Sequence, residues 1–361
     1  MKVKPTYLLA LFIPAAVALE IAGASPTVIF IAAALGVIPT AALMGKATEE
    51  IAAQTGPGIG GFLNVTFGNA PELIIAFFAL REGLQEVVKA SIAGSIIGNL
   101  LLVLGASMLV GGLKRDKQTF NVTAAQAQSA MLLLAMIALI LPAVFQLVRG
   151  GGLPAVADER VDFGSDLEQL SFAVAIILLL TYAAGLLFSL RTHKEVFNPY
   201  SEDEGHEQQW TIRRAVGMLA LAGAGVGLMS EILVGSISEA SETIGLSEFF
   251  VGVFIVAIVG NAAEHWVAVL VAAKNKMDLA VNISIGSSAQ IALFVAPVLV
   301  LLSFVVGPAP LALVFNGYEL AGMLFAVLIA NHLVSEGESN WFEGVQLLAV
   351  YAVLGVVFFY A

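Results

Sequence analysis

Long apolar stretches separated by short polar ones follow one another along the whole chain. A helix that crosses the hydrocarbon core of a bilayer needs about 20 apolar residues, and most of these stretches reach that length. Residues 131–148 and 170–190 are apolar at almost every position, whereas the strands of a membrane barrel alternate apolar and polar residues. The pattern predicts an all-α polytopic membrane protein. Its eleven predicted transmembrane helices lie near residues 6–24, 27–45, 59–80, 88–112, 124–148, 167–190, 212–236, 248–272, 279–306, 310–334 and 341–361.

The first apolar segment has a second interpretation. Lys2 and Lys4 precede a short apolar core that ends at Ala22, Gly23 and Ala24, an arrangement that also fits a cleavable secretory signal. Polytopic membrane proteins usually begin with a signal-like helix that stays in the membrane, so we favour a retained helix. The orientation of the other ten helices is the same under either interpretation.

Composition and charge support a membrane protein and limit the classes of molecule that it can bind. The chain is 59% hydrophobic and 12% charged, with a mean hydropathy of +0.94, which is too apolar for a water-soluble globular chain. Its net charge of −11 argues against nucleic acid, because phosphates are bound by clustered Lys and Arg. Cations are the expected partners. The absence of cysteine excludes disulfides and thiolate metal sites.

The basic residues orient the predicted helices. With the N-terminus in the cytoplasm, twelve of the 16 Lys and Arg residues lie on the cytoplasmic side, as the positive-inside rule expects. The four that lie outside are Arg81, Lys89, Arg149 and Arg160. We therefore predict a protein of the cell (inner) membrane with a cytoplasmic N-terminus and an external C-terminus.

The two halves of the chain carry the same short motif 192 residues apart. Residues 68–72 read Gly-Asn-Ala-Pro-Glu and residues 260–264 read Gly-Asn-Ala-Ala-Glu, and the same offset aligns Ser95 with Ser287. The predicted topology runs the two motif helices in opposite directions, and inverted repeats are typical of secondary transporters that bind substrate near the midplane. The predicted divisions are an N-terminal helix at 1–25, a five-helix repeat at 26–190, a cytoplasmic acidic linker at 191–211 and an inverted five-helix repeat at 212–361.

Both motifs place oxygen atoms inside apolar helices. Each asparagine lies three residues before its glutamate and shares a helix face with it. A charged acid at the bilayer centre costs about 2.5–3.5 kcal/mol, and acids that are present in spite of this cost usually mark ion pathways. Ca²⁺ binds about six to eight oxygen ligands, including carbonyls freed where helices break, and Gly68, Pro71 and Gly260 are the candidate breaks. The predicted metal and proton exchange site comprises Glu72, Glu264, Asn69, Asn261, Ser95, Asn99, Ser287 and Gln290.

Either glutamate alone also fits a protonated, hydrogen-bonded packing residue. The symmetric placement of two favours an ion path. Two carboxylates close together in a poorly solvated site cannot both stay ionised without a cation, because burial and like-charge repulsion favour protonation. Protons and a divalent cation therefore compete for the same oxygens, and this competition is a mechanism of exchange by alternating access.

Other polar residues carry weaker assignments. His265 follows Glu264 but points about 100° away by helix geometry, so it is either a proton partner or a packing imidazole. Three acids at cytoplasmic helix ends either line an attracting vestibule or are simply solvated: Glu49, Glu50 and Glu231. The acidic run of the linker is either a solvated face or a low-affinity regulatory Ca²⁺ site. It consists of Glu202, Asp203, Glu204 and Glu207.

At these residues the chain resembles the Ca²⁺/H⁺ antiporters of the cation/proton exchanger (CAX) family, within the Ca²⁺/cation antiporter superfamily. The likeness covers essentially the whole chain. It rests on two pairs of signature segments and on Gly-Glu-Ser-Asn-Trp at 337–341. The paired segments are 68–72 with 94–99, and 260–265 with 286–290.

The resemblance implies a fold of one plus ten helices and export of cytoplasmic Ca²⁺ driven by proton entry. It implies a Ca²⁺ site centred on Glu72 and Glu264, and an acidic helix that corresponds to residues 202–207. The chain departs from the family at Glu336, where the family often has Asp; this position is peripheral.

Three other classes are weighed against this resemblance. Na⁺/Ca²⁺ exchangers typically carry an additional acid in the second signature helix, where Asn99 and Gln290 are neutral, so proton coupling is favoured. A divalent cation channel would need a continuous filter and usually oligomer symmetry. A membrane zinc protease is disfavoured because no H-E-x-x-H occurs. We expect a transporter and not an enzyme, with Ca²⁺ and H⁺ as transported ions, no cofactor, and homo-oligomerisation left open.

Overall fold

The protein is helical through most of its length. The structure is a computed structural model that describes residues 8–156, 161, 163–193 and 210–361, apart from the side chains of residues 56–59, 61 and 65. Its helices, in chain order, are α1 Phe12–Ile21, α2 Pro26–Gly68, α3 Ala70–Arg81, α4 Gln85–Gly112, α5 Val122–Val148, α6 Ser165–Thr192, α7 Ile212–Gly235, α8 Ile237–Ile244, α9 Glu248–Ala273, α10 Met277–Ser303, α11 Gly317–Leu333 and α12 Trp341–Phe359. Two short strands, β1 Gln118–Thr119 and β2 Glu338–Ser339, pair antiparallel.

Most of these helices match the lengths that a bilayer requires. Among the described residues, eight helices are long and apolar enough to cross a membrane, or nine if the bent pair Phe62–Gly68 and Ala70–Arg81 is one span. Two further apolar helices, α1 and α11, are shorter. Each of the eleven predicted apolar segments overlaps one of these helices. The all-α membrane class is therefore confirmed, and the count of eleven spans stays a prediction.

Two boundaries differ from the hydropathy pattern. The chain stays helical from Pro26 to Gly68, where the pattern predicts a loop after residue 45. Thr48 and Thr55 bond back to carbonyls one turn earlier, so polar residues of this stretch are accommodated within the helix. At the other position, residues 310–316 are not helical and α11 begins only at Gly317, because Asn316 caps its first turn.

The first of two compact units comprises Met1–Phe78, Ala183–Leu246 and Val259–Ala263. Within it α2 packs along α7, around a core of Met44, Ala222 and Val226. Small residues allow the two helices to approach closely, as is common between membrane helices. A methyl group added to Gly225 would lie only 2.9 Å from Cγ2 of Thr40.

The second unit comprises Ala79–Tyr182, Ser247–Ile258 and Glu264–Ala361. Helix α4 lies at its centre and packs against the first turns of α9, against α11 and against α12. Its residues are buried over most of their length, including Ser95 and Asn99. Gly94 is the point of closest approach, since a methyl group there would lie 2.6 Å from the Cα of Val253. The glycine therefore allows one helix backbone to touch another.

The non-helical segment 311–316 is buried within the second unit. Side chains form hydrogen bonds with several of its backbone amides and carbonyls. The amides of Leu311 and Leu313 donate to Ser303 Oγ at 2.7 Å and Ser171 Oγ at 2.9 Å. The carbonyl of Val314 accepts from Lys89 Nζ at 2.6 Å. Buried backbone groups need such partners because each unsatisfied one costs as much as a lost hydrogen bond.

The close packing at Gly94 yields a stability prediction. We expect Gly94→Ala to destabilise the protein by about 1–3 kcal/mol, since an added methyl group must displace the Val253 backbone. Gly98→Ala, in the same helix, is the matched control, because nothing lies within 4 Å of a methyl group at that position. The measurement is the thermal unfolding temperature of the purified variants in detergent. Equal unfolding temperatures for the two variants would contradict the packing account.

Candidate functional site

The first signature motif lies at a helix break. Helix α2 ends at Gly68, Asn69 leaves the helical conformation with φ −98° and ψ 16°, and α3 begins at Ala70. Glu72 therefore sits in the first turn of α3, where the partial positive charge of the helix N-terminus favours a carboxylate. Asn69 is buried and Glu72 is partly buried. The break expected near Gly68 and Pro71 is thus present, at Asn69.

The second motif does not break its helix. Gly260 and Asn261 lie inside the continuous stretch Ala257–Ala273 of α9, so the break expected at Gly260 is wrong. This glycine serves close packing instead. A methyl group at Gly260 would lie 3.3 Å from Glu72 Oε1 and 3.4 Å from Ile75 Cδ1. Within the first compact unit, the Glu72 carboxylate therefore lies against the backbone of the second motif.

Residues of the second unit form a further contact between signature segments. His265 Nε2 lies 3.0 Å from Asn99 Oδ1. Because an amide oxygen only accepts, Nε2 carries the hydrogen in this arrangement. Asn99 is 2% exposed and lies within a run of wide helical turns at Gly98–Val103 in α4. His265 is thus tied to a residue of the predicted site, one turn of α4 beyond Ser95.

The remaining predicted ligands lie inside the helices that carry them. Ser95, Ser287 and Asn261 are buried, and Glu264 and Gln290 are partly buried. Each of these residues takes part in an interaction with its surroundings. In the part of the chain that the structure describes, no three acidic or histidine side chains gather closely enough to hold a metal ion. The oxygen donors available beside the two glutamates are amides and hydroxyls.

The candidate vestibule acids have different surroundings. Glu49 and Glu231 are exposed, whereas Glu50 is 5% exposed and its Oε2 accepts from the Trp210 amide at 3.1 Å. The Trp210 carbonyl accepts from Gln54, and its ring lies 4.9 Å from Lys46 Nζ. Glu50 therefore anchors the chain just before α7. The acidic run Glu202, Asp203, Glu204 and Glu207 lies outside the described residues.

Three buried ionisable residues of the second unit were missed in the sequence pattern, and one of them is Glu86, which is 8% exposed. Lys89 was assigned to the outside loops, yet its side chain is 1% exposed within the second unit. Glu319 lies inside predicted span 310–334 and is fully buried. Like Glu72, Glu319 is a single acid within an apolar segment, and this feature of the sequence could have identified it.

Comparison with known proteins identifies the family of the chain. The family described as "Sodium/calcium exchanger protein" matches residues 25–191 and 214–360. The chain belongs to this family. A Ca(2+)/H(+) antiporter of Synechocystis sp. is 43% identical over 99% of this chain and 98% of its own length, and Ca(2+)/H(+) antiporter ChaA of Bacillus subtilis is 45% identical over 92% of both. These similarities confirm the resemblance to Ca²⁺/H⁺ antiporters.

A solved structure agrees in fold. The structure titled native YfkE superposes with a TM-score of 0.83 at 41% identity and covers 99% of this chain and all of that one. The chain is therefore an integral membrane protein of the exchanger family.

The contact of His265 with Asn99 can be tested by measuring the stability of a His265 variant. We expect His265→Leu to lower the free energy of unfolding by about 1–3 kcal/mol, because Asn99 would be left buried without that partner. Trp266→Leu is the control, since Trp266 is 66% exposed. Thermal unfolding in detergent measures both variants. An unchanged unfolding temperature in His265→Leu would contradict the assigned contact.

Proposed function

We propose that the protein is a secondary active transporter that exports cytoplasmic Ca²⁺, and other divalent cations of similar chemistry, in exchange for external H⁺. Membership of the exchanger family and the printed names of its relatives support this function. These relatives match at 43% and 45% identity over 98% and 92% of their own lengths.

The proposed architecture is one N-terminal helix followed by two inverted five-helix repeats. The two segments matched by the family, 25–191 and 214–360, nearly coincide with the repeats at 26–190 and 212–361 that the sequence predicts. Overlap of each predicted span with a helix supports the same layout. Repeats of opposite orientation give a transporter two related conformations, open to either side, around one site.

The exchange site is proposed to centre on Glu72 and Glu264. The observation that carries this proposal is the approach of Glu72 Oε1 to Gly260, which brings the two signature motifs into contact. Gly260 precedes Glu264 by four residues on the same helix, and residues four apart share a helix face. Asn69, Asn261, Ser95, Asn99, Ser287 and Gln290 would supply amide and hydroxyl oxygens of the kind that Ca²⁺ prefers.

Competition for these oxygens would couple the two ions. A Ca²⁺ ion offsets the charge of both glutamates, and so do protons, whereas the empty and doubly charged site is costly to bury. The site would therefore reorient when it holds Ca²⁺ or protons. With the N-terminus in the cytoplasm of a cell (inner) membrane, inward proton flow would drive Ca²⁺ outward. His265, bonded to Asn99, is the candidate proton partner.

Sodium coupling is the second candidate, because the family as a whole is described by sodium/calcium exchange. The neutral side chains at Asn99 and Gln290 disfavour it, since an extra acid would help to balance bound Na⁺. A channel is disfavoured because the duplicated, inverted motif fits a carrier.

Neutralising either glutamate should abolish exchange. We expect Glu72→Gln and Glu264→Gln to abolish Ca²⁺ uptake driven by a pH gradient into inside-out vesicles, because each removes a charge that Ca²⁺ needs and a proton site that drives its release. Glu242→Gln, an exposed acid of α8, is the matched control and should transport normally. Radioactive Ca²⁺ flux, normalised to protein in the membrane, measures the effect. Normal transport in either site variant would refute the assignment.

The coupling ion can be tested separately on the unmodified protein. We expect Ca²⁺ uptake to proceed without Na⁺ and to collapse when a protonophore dissipates the pH gradient. The measurement is vesicle flux under an imposed proton or sodium gradient, with Mn²⁺ and Mg²⁺ as competitors. Uptake that requires Na⁺ would favour the second candidate, and an ohmic current independent of the pH gradient would favour a channel.

A further inference from the structure

An amide pair joins α5 to α10 within the second unit. Gln128 Nε2 donates to Asn282 Oδ1 across the two helices. Gln128 lies six residues after the start of α5, and Asn282 lies five residues after the start of α10. At about 1.5 Å of rise per residue, each side chain lies roughly 8 Å along its helix, beyond the first turn. The pair is therefore not part of the loops or caps at the helix ends.

The pair borders the second signature segment. A methyl group at Gly286 would lie 3.3 Å from Asn282 Oδ1 and 3.5 Å from Gln128 Nε2. Gly286 begins the segment that carries Gln290, a proposed ligand of the exchange site. Residues four apart share a helix face, so Gly286 and Gln290 continue the face of α10 on which the pair lies. This face leads from the pair to the proposed site.

The pair has polar atoms that the protein leaves without partners. Asn282 is exposed and Gln128 is half-buried, although residues 284–289 are buried. Apart from the bond between them, the two side chains form no hydrogen bond with any residue that the structure describes. Lipid tails offer no hydrogen bonds, so Gln128 Oε1 and Asn282 Nδ2 need water. An aqueous space therefore reaches this face of α10.

Polar side chains near one end of a membrane helix often serve only the interface, and the repeat allows this interpretation to be examined. The offset of 192 that aligns Ser95 with Ser287 also aligns Ala90 with Asn282. Ala90 is 0% exposed. A general interfacial role would favour a polar residue at the matching end of α4 as well. The amide of Asn282 is therefore specific to one of the two repeats.

The partner helix shows the same difference. Asn121 caps α5 and Asn316 caps α11, so the two caps align these helices. On that alignment Met323 corresponds to Gln128, and Met323 is 0% exposed. The amide pair of one repeat is thus replaced by two buried apolar residues in the other. In the proposed orientation α5 and α10 begin at the cytoplasm, whereas α4 and α11 begin outside, so the amides lie on the cytoplasmic side.

We infer that Gln128 and Asn282 line a water-filled inner approach to the exchange site, where Gln128 Oε1, held in place by Asn282, binds the divalent cation on its way in. This inference rests on the proposed function and orientation. Ca²⁺ accepts amide oxygens as ligands, so the pair replaces part of the hydration of the ion before the ion meets the glutamates. The buried apolar residues at the matching external positions offer no such oxygen, which favours capture of the ion from the cytoplasm.

Chemical labelling tests the inner approach without any transport measurement. The chain has no cysteine, so Asn282→Cys and Gln128→Cys each introduce a single thiol. We expect a charged, membrane-impermeant thiol reagent to modify both variants from the cytoplasmic face, in inside-out vesicles. Met323→Cys is the matched control and should stay unmodified from the external face, because this position is buried. Thiols at 128 and 282 that do not react, or that react only from outside, would overturn the inference.

Transport kinetics test whether the pair binds the cation. We expect Gln128→Met and Asn282→Leu to raise the KM for cytoplasmic Ca²⁺ by about three- to tenfold with an unchanged maximal rate, because the oxygen acts on entry and not on exchange. Gln128→Glu keeps an oxygen at this position, so its KM should not rise. Ser129→Ala is the matched control, since it loses a bond of α5 to Asn331 and should keep the normal KM.

The outcomes separate this inference from the proposed function. An unchanged KM in both Gln128→Met and Asn282→Leu would overturn the inference, and so would a KM for Gln128→Glu that rises as much as that for Gln128→Met, because the pair would then be only a packing contact. An unmodified protein that moves no Ca²⁺ would refute the proposed function instead, and the labelling would still decide whether the inner approach exists.

Discussion

Polar groups that lie among apolar helices have no water to bind, so each must be satisfied by another part of the protein. The buried, non-helical segment 311–316 is an example of such polar groups. Two of its amides donate to Ser303 and Ser171, and one of its carbonyls accepts from Lys89. In a helix, such backbone groups would bind one another instead. The contact of His265 with Asn99 meets the same requirement between two side chains. These hydrogen bonds tie the segment and the helices that carry the partner side chains to one another.

Glycine determines how closely those helices approach. In the signature regions, Gly94 lies against the Val253 backbone and Gly260 against the Glu72 side chain. A β-carbon at Gly94 would force the two helix backbones apart, and one at Gly260 would press on the Glu72 carboxylate. The glycine that begins the second motif is therefore explained by close packing and not by a helix break, which distinguishes the two motifs although their sequences are almost the same. Only the first motif has its break, at Asn69.

The sequence predicts the apolar helices well because each needs only its own composition to be recognised, and the overlap of all eleven predicted segments with helices reflects that. It predicts boundaries less well where local hydrogen bonds decide them. The helix that runs from Pro26 to Gly68 passes through Lys46, Glu49 and Glu50, which hydropathy assigns to a loop. The burial of Lys89 could not be foreseen from its position at the end of a span, since its partners Val314 and Phe163 are far along the chain. Glutamates 72 and 264 were found because their motif is repeated. Glu319 has no repeated counterpart to draw attention to it.

The difference between the two kinds of buried acid lies in their neighbours. Beside Glu86 a lysine supplies a permanent positive charge, since Lys89 Nζ lies 2.5 Å from Glu86 Oε1. The motifs around Glu72 and Glu264 contain amides and small residues but no Lys or Arg. In the proposed exchange, protons and Ca²⁺ balance the charge of those acids in turn. A lysine next to either motif glutamate would give it a permanent counter-charge, as Lys89 gives Glu86, and the proposed exchange would lose its driving competition.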